Sequence, residues 1–328
     1  MYRTLPEMFA ATVGRFGSRP AFKVKTEGVF RAITYAQLAE TVRDLAAGLI
    51  DLGVKAGDHV GLISDNRLGW ILADLAILHA GAADVPRGAD STAEEIAYIL
   101  DHADCRLAFV EDAAQLAKVA EVRGRLPQLR RCIVIDETFT QEDKWAVPFD
   151  AVVRRGAALR AKGKDRVAER VAQLTPESLA TLIYTSGTTG EPKGVELTHA
   201  NLLHQVNVVP QLIHFSPEER FLSLLPPWHA FERAVEYIAI AHGCATAYTS
   251  VKELAADLAL ERPTYMASVP RIWEAIYDKV MAKVEREPRL KRTLFFALLR
   301  AAERYRHLAR VAVGGDARFR DRGPVAEG

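Results

Sequence analysis

Ala180-Thr181-Leu182-Ile183-Tyr184-Thr185-Ser186-Gly187-Thr188-Thr189-Gly190-Glu191-Pro192-Lys193-Gly194 joins a short apolar run to a loop of hydroxyls, glycines and one lysine. The run Ala180–Tyr184 has the length and apolar character of a buried strand, and a helix is expected from about Leu197 onward. In the loop, glycines permit close backbone approach, so successive N–H groups can point at one anion. Hydroxyls add donors, and Lys193 adds a mobile positive charge. A polyphosphate suits such a loop. The order differs from the Walker pattern, which needs Gly-Lys followed by Ser or Thr, because Pro192 precedes Lys193 and Gly194 follows it.

Outward from this junction, strand and helix patterns alternate. Apolar residues recur at helical spacing from Leu38 to Leu52, ending at Gly53. His59–Ile63 reads as a strand, Asp65 and Asn66 as a turn, and Trp70–His79 as a helix. Leu107–Glu111 and Arg131–Asp136 read as strands around a helix at Ala113–Leu126. Residues 142–173 are charged and weakly periodic, and read as a solvated helix and connection whose basic run, Arg154 to Arg166, forms an exposed face. Beyond the loop come a strand at Phe221–Leu225, a helix around Glu232–His242, a strand near Ala245–Ser250 and a helical, basic stretch from Arg271 to Val313 broken at Pro288. The interleaving predicts an α/β fold, with parallel sheets flanked by helices.

The 328 residues suffice for a full core, and 49% hydrophobic with 26% charged residues argues against disorder. With 43 basic against 42 acidic side chains, the chain has no net field for a polyanion, and nucleic-acid binding is not expected. Cys105, Cys132 and Cys244 are too far apart for a disulfide framework or a metal site, which fits a reducing cytoplasm. Met1–Ala10 lacks a signal-peptide core. The apolar stretch Trp70–Val85 is interrupted by Asp74, His79 and Asp84, so it is not read as a membrane span.

The loop, with Val195, Thr198 and His199 behind it, resembles the signature phosphate loop of the adenylate-forming superfamily, which includes acyl-CoA synthetases, luciferases and peptide-synthetase adenylation domains. Ile33-Thr34-Tyr35-Ala36-Gln37-Leu38, Gly57-Asp58-His59-Val60 and Ala80–Pro86 resemble earlier scaffold elements of that superfamily. Leu224-Leu225-Pro226-Pro227-Trp228-His229-Ala230-Phe231-Glu232-Arg233 and Ser268-Val269-Pro270-Arg271-Ile272-Trp273 resemble segments of its long-chain fatty acyl-CoA synthetases.

The resemblance implies that Thr185, Ser186, Gly187, Thr188, Thr189, Gly190 and Lys193 hold the phosphates of ATP, and that Trp228, His229 and Phe231 line a substrate pocket. Glu232 and Arg233 are read as a charge pair at a helix start, and no residue is assigned as a metal ligand. The implied reaction activates a fatty acid as acyl-AMP with Mg²⁺ and ATP, then transfers the acyl group to coenzyme A. Transfer to an acyl carrier protein, an aromatic acid substrate, and a non-catalytic nucleotide-binding remnant remain alternatives. Arg87, where an apolar residue is more usual, points toward the acyl-carrier-protein branch. The family's later Tyr-Gly-x-Thr-Glu element, ribose-binding Asp and C-terminal catalytic Lys have no counterpart in these residues. The expected organisation is therefore an incomplete N-terminal adenylation domain over 1–313, a disordered tail over 314–328 and an absent C-terminal domain. Peripheral membrane contact by the basic residues around Phe295 and Phe296, and a homodimer, are left open.

Overall fold

The computed structural model describes residues 2–185 and 192–312, with side chains described through 308. In chain order the elements are α1 (Leu5–Phe16), β1 (Pro20–Thr26), β2 (Val29–Thr34), α2 (Tyr35–Asp51), β3 (His59–Ile63), α3 (Leu68–His79), β4 (Ala83–Arg87), α4 (Ala93–His102), β5 (Leu107–Val110), α5 (Ala113–Glu121), β6 (Arg131–Val134), β7 (Ala146–Pro148), α6 (Phe149–Ala161), α7 (Val167–Gln173), β8 (Leu179–Thr185), β9 (Lys193–Thr198), α8 (His199–Val208), β10 (Arg220–Ser223), α9 (Ala230–Ala241), β11 (Ala245–Tyr248), α10 (Leu254–Glu261), α11 (Pro270–Glu285) and α12 (Arg289–Ala312). They fall into two compact units, one ending at Ala267 and one beginning at Ser268.

The first unit is an α/β structure with two sheets. A seven-stranded sheet has the order β7-β6-β5-β3-β4-β8-β9, parallel throughout except for the antiparallel β8–β9 pair. A four-stranded sheet has the order β10-β11-β1-β2, in which β2 alone runs antiparallel. Alternation along the central strands divides the core. Leu107, Phe109 and Ile133 join the cluster under α2 and α3, whereas Ala108, Val110, Cys132 and Val134 join the cluster under α4 and α5. Strands buried on both faces read as continuous apolar runs, and helices must cover both sides.

Local chemistry sets the helix starts. Thr34 with Gln37, Thr92 with Glu95 and Thr198 with Asn201 form reciprocal caps at α2, α4 and α8. Helices α2 and α6 pack with backbones in contact: a Cβ built on Gly156 would lie 1.7 Å from the Asp44 carbonyl oxygen, so no larger residue fits there.

Three expectations change. The helix after the loop begins only at His199, because Lys193–Thr198 is first used as β9. Residues 142–173 contain β7 as well as two helices. The hairpin β1–β2 enters a second sheet that the sequence patterning did not separate from the first. The second unit holds α11 and α12, with the break at Pro288 as expected. No described helix is long and apolar enough to cross a membrane.

Candidate active site

The carboxyl ends of β3, β4 and β10 are joined by their outgoing turns. The Ser64 amide donates to the Arg87 carbonyl at 3.0 Å, the Ala89 amide to Asp65 Oδ1 at 3.2 Å, and Asn66 Nδ2 to the Ser223 carbonyl at 3.4 Å. From α5, the Lys118 ammonium clamps the turn after β4 by donating to the carbonyls of Ala89 (2.8 Å) and Ser91 (2.9 Å). At Gly88 the backbone lies against the Trp228 ring. A Cβ there would come within 2.5 Å of Trp228 Cζ2, so the missing side chain is what lets the ring in.

Strand β8 lies next to β4, with Asp84 paired to Thr181. It ends at Thr185, which stands directly across the hairpin from Lys193 in β9, and both are exposed. Thr185 and Lys193 thus form the two feet of one loop. Ser186, Gly187, Thr188, Thr189 and Gly190, the other expected phosphate contacts, lie outside the described residues. Helix α4 braces the feet: the Tyr98 hydroxyl donates to the Pro192 carbonyl at 3.1 Å, and His102 Nδ1 is 2.6 Å from the Tyr184 hydroxyl. The β4–α4 segment therefore touches the loop at Pro192 and the Trp228 turn at Gly88.

Trp228, His229 and Phe231 follow β10, with Trp228 half-buried and His229 and Phe231 exposed at the start of α9. The expected Glu232–Arg233 pair does not form. Successive residues on a helix point in different directions, and both side chains are buried. Arg233 donates to Asp84 Oδ1 (2.8 Å), Thr181 Oγ1 (2.8 Å), Tyr237 Oη (3.0 Å) and Asp74 Oδ1, while the Tyr237 hydroxyl donates to Asp74 Oδ2 at 2.7 Å. Burial raises the Asp74 carboxyl to about 6 against the opposing pull of Arg233. Arg233 itself stays protonated, because loss of solvation is outweighed by the two carboxylates.

One helical turn apart, Glu232 and Glu236 are also buried. Loss of solvation raises Glu232 to about 7 and Glu236 to about 8, and the Ser223 hydroxyl donates to Glu236 Oε1 at 3.2 Å. His199 is buried as well: it accepts from the Leu5 amide at Nδ1 (3.3 Å), and burial lowers its pKa to about 4, so it serves structure as a neutral ring.

Residues 9–318 match a family model described as AMP-binding enzyme. The chain belongs to that family. As an AMP-binding enzyme of the adenylate-forming superfamily, it is 30% identical over 95% of its length to a chloroplastic long-chain-fatty-acid–[acyl-carrier-protein] ligase of Arabidopsis thaliana, covering 44% of that protein. It is 36% identical over 77% of its length to the long-chain-fatty-acid–CoA ligase FadD15 of Mycobacterium tuberculosis, covering 41% of it. The chain therefore spans less than half the length of these curated relatives. A crystal structure of a long-chain-fatty-acid-CoA ligase from Archaeoglobus fulgidus shares the fold with a TM-score of 0.73 at 21% identity, over 86% of this chain and 55% of that one.

In this AMP-binding enzyme the sequence singled out Trp228 and the feet of the loop but missed Gly88, Tyr98 and His102, which join them. It also missed the buried Arg233 cluster, although its signal was present: Asp74 and Asp84 interrupt an otherwise apolar stretch, and a carboxylate in such a run needs a buried partner. The three cysteines are buried free thiols, with Cys132 pushed up to about 12 by burial, and none is poised as a nucleophile.

Proposed function

We propose that the chain carries the phosphate-binding part of an AMP-forming acid–thiol ligase acting on a fatty acid, with coenzyme A as thiol acceptor. The observation that carries this reading is the pairing of Thr185 with Lys193 at the carboxyl end of β8, beside the end of β4 that receives Trp228. Ligands of open α/β sheets bind at the carboxyl ends of the strands.

A hydroxyl and an ammonium, both exposed and fixed opposite one another by a strand ladder, fit the β- and γ-phosphates of ATP. In the proposed reaction ATP supplies the adenylyl group and pyrophosphate leaves. Lys193 and Thr185, with Ser186, Gly187, Thr188, Thr189 and Gly190 between them, hold that leaving group, which is positioning and charge stabilisation rather than covalent chemistry. Trp228, His229 and Phe231 form the acid's side of the site. Mg²⁺ is read as arriving with the ATP phosphates. Residues 1–313 are read as part of an adenylation domain, and the activity of the whole enzyme is part of the same proposal.

Equilibrium binding of a fluorescent ATP analogue tests it. Lys193→Ala should weaken binding about tenfold, the loss of one charge-assisted contact. Equal affinity in wild type and variant would refute the site. A second reading, transfer to an acyl carrier protein, is favoured by the likeness to the Arabidopsis ligase over 95% of the chain, against 77% for the mycobacterial coenzyme A ligase. A thiol-acceptor assay offering both acceptors separates the two.

A further inference from the structure

At the opposite end of the large sheet, the amino ends of β3, β5 and β6 open into a cavity of about 390 Å³. Its lining includes Lys55, Arg106, Arg130, Arg131, Lys144 and Arg155 against two acids, Asp51 and Asp58. Both acids are engaged: Asp51 pairs with Arg155, and Asp58 Oδ2 accepts from the Lys55 amide at 2.8 Å. Arg106 has a distant partner in Asp104, at 3.8 Å. Among the described residues, Lys55, Arg130, Arg131 and Lys144 have no carboxylate within ion-pair distance.

Four cations without an ion-pair partner, set against the one remaining negative charge of Asp58, leave a local excess of positive charge that an anion relieves. The molecule as a whole is nearly neutral, with a formal charge of +1, so the concentration of positive charge is local. The volume is within the range of small-ligand pockets, ~300–1,000 Å³, and too confined for a flat polyanionic surface. Guanidinium and ammonium side chains among the lining residues suit phosphate oxygens, which accept several charge-assisted bonds in different directions.

We propose that this cavity binds a compact soluble ligand bearing two linked phosphate groups, separately from the loop between Thr185 and Lys193. Titration calorimetry with inorganic pyrophosphate at low and high salt, on the whole chain, is the direct test. Two binding components are expected. One should weaken about tenfold or more in Arg131→Gln/Lys144→Gln, a loss of two charge-assisted contacts, and fall with added salt. Lys193→Ala should leave that component unchanged. Lys144 is exposed and Arg131 half-buried, so the double variant should keep the wild-type melting temperature.

Hydrogen exchange on the wild-type protein provides a reading that needs no variant. Pyrophosphate should protect amides near residues 53–59 and 130–132. Protection confined to residues 184–198 would overturn the proposal, as would an isotherm indifferent to the double substitution. Binding of phosphatidylcholine vesicles carrying an anionic phospholipid, without binding of pyrophosphate, would also overturn it, assigning the charge to a membrane headgroup instead.

Discussion

Replacing Arg233 with Met would remove the only cation described as paired with Asp74 and Asp84 and leave two carboxylates in the interior. All three side chains are fully buried, and the guanidinium donates to four partners: Asp74, Asp84, Thr181 and Tyr237. Breaking a buried ion pair by deleting one partner costs ~3–5 kcal/mol, because the remaining charge is stranded without solvent. A domain has only ~5–15 kcal/mol in total, so about a fifth or more of its stability would go.

The loss should also depend on pH. Burial holds the Asp74 carboxyl at about 6 even with Arg233 pulling it down, so without the guanidinium it rises further. An acid whose native pKa lies above its unfolded value binds a proton in the fold that the unfolded chain has released. Stability therefore falls as pH rises from the unfolded toward the native pKa. Urea denaturation of wild type and Arg233→Met, in mildly acidic and mildly alkaline buffer, should give a gap that widens on the alkaline side. Adding Asp74→Asn should recover part of it. A gap below about 1 kcal/mol, or one unchanged by pH, would refute the view that this cluster is a charged keystone of the core.

Glu236→Gln should act in the opposite sense. Its carboxyl is raised from 4.5 to about 8 by burial, so wild-type stability should decline as pH climbs through that window, whereas the amide variant lacks this slope. Thermal melts across the range should show the variant gaining on wild type by up to roughly 5 kcal/mol at the alkaline end, and parallel curves would contradict the burial argument. Gly88→Ala should displace the Trp228 ring, change tryptophan emission and cost ~1–3 kcal/mol from overpacking. The emission change should vanish in a Trp228→Phe background, and its persistence there would place the disturbance elsewhere.

Much of the scaffold was legible because its signals are local. His59–Ile63 is a strand with the bounds its apolar run gives, and Trp70–His79 falls within α3, because a buried strand and an all-round apolar helix are written in consecutive residues. The loop stood out through composition; Thr185 and Lys193 pair across the hairpin, and Ser186 to Gly190 lie outside the described residues. What escaped depends on distant partners. Strand β9 looked like the approach to a helix because Lys193–Thr198 is only partly buried at a sheet edge and lacks a long apolar run. Arg233 looked like half of a helix-start pair with Glu232 because its carboxylates lie 159 and 149 residues away. Gly88 carries no positive φ, and its close packing requirement appears only once the Trp228 ring is beside it.

The smaller sheet sets an order of events during synthesis. Its hairpin, β1 and β2, comes from the first tenth of the chain, yet β1 runs alongside β11, pairing Phe22 with Thr246. The Tyr35 hydroxyl closes on the Cys244 carbonyl at 2.6 Å, and the Leu5 amide on His199. During synthesis α1 and the hairpin therefore wait for their native partners at residues 199–248. At typical elongation rates of ~5–20 residues per second, that interval lasts on the order of ten seconds or more, far longer than a hairpin takes to form. Through that wait, α1 and the hairpin are exposed to chaperones and to neighbouring chains.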